Sequence, residues 1–179
     1  MQKHEILSSQ VVYSSKVGTL VNMEVKHPLK DKIKTYSITK HPDWVNVVAE
    51  TKDHNIVVIS QWRAGSNEIS IEVPGGKVDE GEDPQVAGIR ELEEETGFCL
   101  TPKSKVVSLG WVWGNPAIQD NKMHYYFVNN VEKTKETSFD EMEYVQTQVL
   151  SKNKISEMLS DNKITHSYSV LALYKTFKG

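Results

Sequence analysis

Residues 90–97 of this chain read RELEEETG, four glutamates and one arginine within eight positions. Carboxylates at that density either form a solvated acidic helix face or gather around a hard cation with oxygen ligands, Mg²⁺ or Mn²⁺. On a helical wheel at about 100° per residue, Val86, Ile89 and Leu92 form an apolar stripe. Glu91, Glu94 and Glu95 fall within roughly 100° of one another, in an arc centred about 140° from that stripe. Glu93 lies on the stripe's flank. Three carboxylates therefore converge and the fourth points elsewhere. Like charges at this spacing repel by about 0.2–0.5 kcal/mol per pair, and a shared cation would turn that repulsion into coordination.

The run has to sit on a helix for this to work. Asp83 is a capping residue, Pro84 suits the first helical position, and Gly97 suits the residue just past the end. A helix is predicted over 84–96. Upstream, short apolar stretches rich in β-branched residues predict strands at 6–13, 17–25, 33–38, 45–50, 55–62 and 69–76. The last is broken by Pro74 and the Gly75-Gly76 pair. Strands are predicted again at 105–113, 122–129 and 143–151, and amphipathic helices at 152–162 and 167–177. Strands mixed with three helices indicate a layered α/β domain.

The helix belongs to a longer pattern. Five residues separate Gly76 from Glu82, and seven more lead to Arg90-Glu91-Leu92, then Glu94-Glu95, Gly97 and Phe98. This resembles the signature of the Nudix hydrolases, G-x5-E-x7-R-E-U-x-E-E-x-G-U with U apolar, matched at every defined position. At average residue frequencies such a match arises by chance on the order of once in 10⁷ chains of this length, which favours the cation over the solvated face. A Walker-type phosphate loop is excluded, because Glu82 stands where its lysine must be.

The resemblance implies an α/β/α sandwich with a mixed central sheet, and hydrolysis of a nucleoside diphosphate linked to another group. It implies Glu91, Glu94 and Glu95 as ligands of Mg²⁺ (or Mn²⁺), with a backbone carbonyl at Gly75 or Gly76 as a further ligand. Arg90 would orient the glutamates and Glu82 would brace the loop before the helix. The flanks are similar to the ADP-ribose and nucleoside-diphosphate-sugar pyrophosphatase branch. "QWRAG" at 61–65 precedes Glu72-Val-Pro-Gly-Gly, which implies Arg63 as a diphosphate ligand and Glu72 as a contact to substrate or dimer partner. "WGNPAIQDN" at 113–121 stands in the place of that branch's proline loop, but departs from its usual "SPG" run. "SFDEMEYV" at 138–145 resembles its acidic loop, implying that one of Glu141 and Glu143 is the general base and the other a metal ligand. Trp44 and Trp113 are candidates to stack on a base, and Gln119, Asn115 and His124 to touch sugar or phosphate. The expected substrates are ADP-ribose and related compounds such as GDP-mannose. The alternatives are other nucleotides (triphosphates, dinucleoside polyphosphates, coenzymes) or a sensing module that does not hydrolyse. The resemblance divides the chain into an N-terminal β segment, 1–41, exchanged across a homodimer or paired within one subunit, and a catalytic domain, 42–179.

Bulk properties exclude other classes. The chain has 179 residues, enough for one domain with an appendage, and a net charge of −3 that leaves no basic footprint for nucleic acid. The single cysteine, Cys99, forbids an internal disulfide and reads as a small buried hydrophobe. Six histidines lack zinc-site spacing. With no apolar leader and no run of spanning length, a cytoplasmic protein is expected.

Overall fold

In the computed structural model, which describes residues 1–139 and 144–178, the first strands form an antiparallel sheet of their own. Its order is β1 (Glu5–Ser14), β2 (Thr19–Lys26), β3 (Ile33–Lys40). Central β2 buries Val21 and Val25, whereas all ten residues of β1 are exposed. These strands and the segment Val112–Lys122 make one compact unit. Within it the Thr39 N–H donates to the Ile118 carbonyl at 2.8 Å and the His41 N–H to Asp120 Oδ1 at 3.2 Å.

The second unit comprises Trp44–Trp111 and Met123–Gly179. Its strands are β4 (Trp44–Thr51), β5 (Asn55–Arg63), β6 (Glu68–Glu72), β7 (Gly75–Lys77), β8 (Phe98–Cys99), β9 (Val106–Trp113), β10 (Lys122–Lys133) and β11 (Val145–Ser151). The sheet runs β11-β5-β4-β10-β8, with β6 on β5, β7 on β4 and β9 on β10. β10 joins β4 in parallel while β5 joins it antiparallel, so the sheet is mixed, as expected. The helices are α1 (Pro84–Thr96), α2 (Lys152–Ser160) and α3 (Ser167–Lys178).

The predicted strand at 69–76 is two strands. Pro74 has no N–H to give a ladder, and the chain changes partner there, β6 pairing with β5 and β7 with β4. The Pro74 carbonyl accepts the Val47 N–H at 2.9 Å, which pins this hinge to the middle of β4. The two-residue strand β8 lies beyond what alternation can reveal.

Helix α1 has the predicted ends. Asp83 Oδ1 accepts the N–H groups of Gln85 and Val86 at 2.8 and 3.3 Å, and Gly97 closes the helix at φ 72° with its N–H on the Glu93 carbonyl. Its buried face differs from the wheel's apolar stripe. Val86 is 58% exposed, and the buried residues are Ala87, Gly88, Leu92, Glu95 and Thr96. Closeness decides this. A Cβ at Gly88 would lie only 2.8 Å from Val47 Cγ2 and 3.0 Å from Val45 Cγ2, so the helix seats its small residues directly on β4. Leu92 then joins Val47, Ala49, Val57, Phe98, Val128 and Val131 in one apolar cluster. The rotation carries Glu95 inward, toward the Gly75-Gly76 strand.

Candidate active site

Three local features bring the predicted residues together: the Pro74 hinge, the close seat of α1, and the glycines of β7. At Gly76 a Cβ would run into the Glu91 carboxylate, and at Gly75 into β4 itself at the Val45 carbonyl and Asn46. The backbone of β4 leaves room only for glycine at 75, and the bare Cα at 76 lets the Glu91 carboxylate lie against the strand. The bare backbone of β7 consequently reaches the carboxylates of α1. The Gly75 N–H donates to Glu95 Oε2 at 2.9 Å, satisfying a carboxylate that is 5% exposed.

Arg90 organises the rest of the face. Its Nε and Nη2 donate to the two oxygens of Glu82 at 3.1 and 3.0 Å, and Nη1 donates to Glu91 Oε1 at 2.8 Å and Glu94 Oε2 at 3.1 Å. Nη2 also reaches the Lys77 carbonyl at 3.2 Å. The hydrogen bonds that Arg90 donates to Glu82, with those to Glu91 and Glu94, hold the guanidinium charged well above its ordinary range. Arg90 in turn, with the Asp79 N–H, draws the Glu82 carboxyl below the usual carboxylate range. Glu93 stands apart on the other flank and pairs with Lys135.

These groups face a cavity of about 510 Å³. Its floor is Gly75, Gly76, Lys77, Arg90, Glu91, Glu94 and Glu95, and Trp44, Arg63, Ser138 and Phe139 complete the wall. The donor set is all oxygen, with strand backbone close enough to contribute, which fits Mg²⁺ or Mn²⁺. It is not a preassembled cage: among the described residues no group of three or more His, Cys, Asp or Glu side chains is already spaced to hold a metal. Arg90 bridges Glu91 and Glu94 and supplies their counter-charge.

Of the other predicted residues, Glu72 is at the cavity only through Arg63. Arg63 grips it with both arms, Nε to Oε1 at 2.8 Å and Nη2 to Oε2 at 2.7 Å. Burial pushes the Glu72 carboxyl up, but the Arg63 hydrogen bonds and the charges of His166 and Arg63 outweigh it and hold the group below its usual range. Trp44 lies in the cavity wall with its Nε1 buried and, among the described residues, without a hydrogen-bond partner. Gln119 lies in the first unit, bridged to Thr39, with its N–H on the Asn115 carbonyl at 2.7 Å. Glu141 and Glu143 fall outside the described residues. The segment leading to them is anchored, since the Ser138 N–H donates to the Glu94 carbonyl at 2.9 Å. Lys77, Ser138 and Phe139 are cavity residues to which the motifs assign no role, although each lies inside a motif stretch.

The model described as NUDIX domain matches residues 39–172. Among curated proteins, a methanol dehydrogenase activator from Bacillus methanolicus is 28% identical over 172 residues, 96% of this chain and 91% of that protein. An ADP-ribose pyrophosphatase from Bacillus subtilis is 25% identical over 172 residues, with the same coverage of 96% and 91%. A crystal structure described as an ADP compounds hydrolase has the same fold, with a TM-score of 0.86 at 21% identity over 99% of this chain and 94% of that one.

Proposed function

The chain belongs to the NUDIX domain family as a Nudix hydrolase, and on that premise we propose that it cleaves the pyrophosphate bond of nucleoside diphosphate sugars with the help of Mg²⁺. ADP-ribose is the first candidate, and GDP-mannose stands for the wider class. The products would be a nucleoside monophosphate and a sugar phosphate. One observation carries this reading: Glu91, Glu94 and Glu95 meet the bare backbone of Gly75 and Gly76 at a cavity that also presents Arg63. The Bacillus subtilis relative, named an ADP-ribose pyrophosphatase, supports it.

Each residue has a task in this scheme. Bound divalent metal would neutralise the diphosphate and lower the pKa of an attacking water. Glu91, Glu94 and Glu95 would hold it, with a carbonyl of Gly75 or Gly76. Arg90 keeps Glu91 and Glu94 aimed at one region, as a supporting shell does around a metal. Glu95 is set by the Gly75 N–H. Arg63 would bind the diphosphate, with Glu72 fixing its plane. Glu141 or Glu143 would take the water's proton, and the anchoring of Ser138 to Glu94 supports placing the base in this stretch. Trp44 would contact the base. The protein would act in the cytoplasm; among the described residues no helix is long and apolar enough to cross a membrane.

The test is a side-by-side panel of nucleoside diphosphate sugars, triphosphates, dinucleoside polyphosphates and dinucleotide coenzymes, with products identified in ¹⁸O water. Preferred turnover of a sugar-linked diphosphate to a monophosphate is expected. Preference for any other group would replace the substrate, and tight ADP-ribose binding without product in excess Mg²⁺ would make the protein a sensor. The Bacillus methanolicus relative favours a second reading, in which the output is the activation of a dehydrogenase. A Mg²⁺-dependent rise in methanol dehydrogenase turnover on adding this protein would establish it.

A further inference from the structure

A buried polar network stands behind Arg63. Glu72, whose side chain is only 1% exposed, holds Arg63 on one side. On the other it meets a residue from far along the chain. His166, immediately before α3, places Nδ1 at 3.1 Å from Glu72 Oε2 and at 2.9 Å from Ser169 Oγ. Ser169 is fully buried in the first turn of α3, and its Oγ accepts the N–H of Val73 at 3.0 Å. Two residues beyond Val73, the Gly75 N–H holds Glu95. One end of α3 thus touches both walls of the cavity, one through Glu72 to Arg63 and the other through the Pro74 hinge to Glu95.

Charge favours one tautomer. The ionised Glu72 carboxylate can only accept, while the Ser169 hydroxyl, which accepts the Val73 N–H, can still accept or donate. Nδ1 makes its hydrogen bond with Ser169 Oγ at 2.9 Å and lies 3.1 Å from Glu72 Oε2. A hydrogen on Nδ1 sets positive charge toward both oxygens, whereas a bare Nδ1 would set its lone pair beside the carboxylate. Burial lowers the His166 pKa, with Glu72 opposing and the Arg63 charge helping, so the ring is neutral near pH 7 and carries one hydrogen.

We propose that His166 is a positioning residue whose Nδ1–H, seated at Ser169, faces and steadies the Glu72 carboxylate, and through it the Arg63 guanidinium, at the cavity, while Ser169 fixes the hinge that presents the Gly75 N–H to Glu95. The kinetic part rests on reading the cavity as a diphosphate site. The two branches act on different quantities. The Arg63 branch governs how well the diphosphate is bound. The hinge branch governs where a metal-holding carboxylate sits.

The experiment uses the full-length chain with Mg²⁺ and ADP-ribose. His166→Ala is expected to raise KM about tenfold and keep kcat within about twofold, because Arg63 loses its fixed plane while the carboxylates stay in place. His166→Asn, whose Nδ2 can stand where Nδ1 stood, is expected to recover most of the loss. Ser169→Ala is expected to lower kcat and raise the Mg²⁺ concentration at half-maximal rate, without the same rise in KM. A parallel fall of kcat and kcat/KM in His166→Ala, or an asparagine variant no better than alanine, would overturn the assignment. A second readout needs no turnover. Imidazole ¹⁵N shifts of the wild-type protein should report His166 as the Nδ1–H tautomer, displaced in Glu72→Gln. An Nε2–H tautomer would overturn the network whatever the substrate. Conversely, an Nδ1–H tautomer in a protein that cleaves no nucleoside diphosphate sugar would uphold the network and sink the substrate reading.

Discussion

Glu95 allows charge to be separated from shape. Its Oε2 accepts the Gly75 N–H at 2.9 Å in a buried setting, and glutamine keeps an oxygen that can do the same. Glu95→Gln is therefore expected to fold with an unchanged melting temperature and to lose turnover at saturating Mg²⁺. The loss should be at least the about 100-fold that follows removal of a supporting group at a metal site. Circular dichroism melts and product assays on the same preparation check both halves, and retained turnover would remove Glu95 from the chemistry. The grouping of this residue with Glu91 and Glu94 was legible in the sequence, because spacings of three and four on a helix leave the geometry little freedom. So was the divergence of Glu93, which pairs with Lys135 on the other flank. Arg63 with Glu72 was legible only as two candidates, not as a pair. His166 and Ser169 were not legible at all. Ser169 meets Val73 across 96 positions of chain, and no local pattern encodes such a contact.

Among the elements, α1 was legible in its ends and misjudged in its inner face. Caps are local chemistry, so Asp83 and Gly97 declare themselves. The inner face depends on how near the sheet comes, and a wheel that weighs large apolar side chains favours Val86 over Gly88. Gly88→Ala tests the closeness. The added methyl would press on Val47 and Val45, and overpacking of a tight seat costs about 1–3 kcal/mol. A lower urea midpoint is expected, against the small stabilisation that alanine gives in an open helix. Helix α3 offers a pH test of its own docking. His166 is packed against Glu72 and the Tyr168 ring within the field of Arg63, and its pKa is lowered in the fold, chiefly by burial. The unfolded chain therefore takes up this proton first, as pH falls through about 6.5. Stability contributed by the neutral ring is present above that pH and is lost below it. Glu72, also lowered, adds a second loss at more acid pH, as its folded-state pKa is approached. Urea midpoints should fall between pH 7.5 and 5.5, and His166→Gln should flatten that limb. A limb unchanged by His166→Gln would show that His166 does not couple α3 to β6 in this way.

For the whole molecule, the informative surface is the N-terminal sheet. Strand β1 is an edge strand of ten residues, all of them exposed, and it carries Ile6, Leu7, Val11, Val12 and Tyr13. Val11 is 60% and Tyr13 65% exposed. An apolar edge of this length is a pairing surface, and proteins normally cover or charge such edges. Its register against β2 slips twice, between Ile6 and Ser8 and between Val11 and Tyr13, so the strand is irregular without being blunted by charge. Alternation predicted these strands but could not say what covers them, because a partner chain leaves no periodicity in the sequence. A second copy of the chain is the occupant proposed here, since an isologous contact would let two such edges cover each other. Sedimentation of the wild-type protein at micromolar concentration should therefore give the mass of two chains. Val11→Lys with Tyr13→Lys should shift it to one chain, because two like charges would face their copies across the two-fold. The cavity residues all belong to the second unit, so the separated chain is expected to keep whatever metal-dependent turnover the wild-type protein has. A wild-type protein that sediments as a single chain at every concentration would refute the dimer and leave the apolar edge to a different partner.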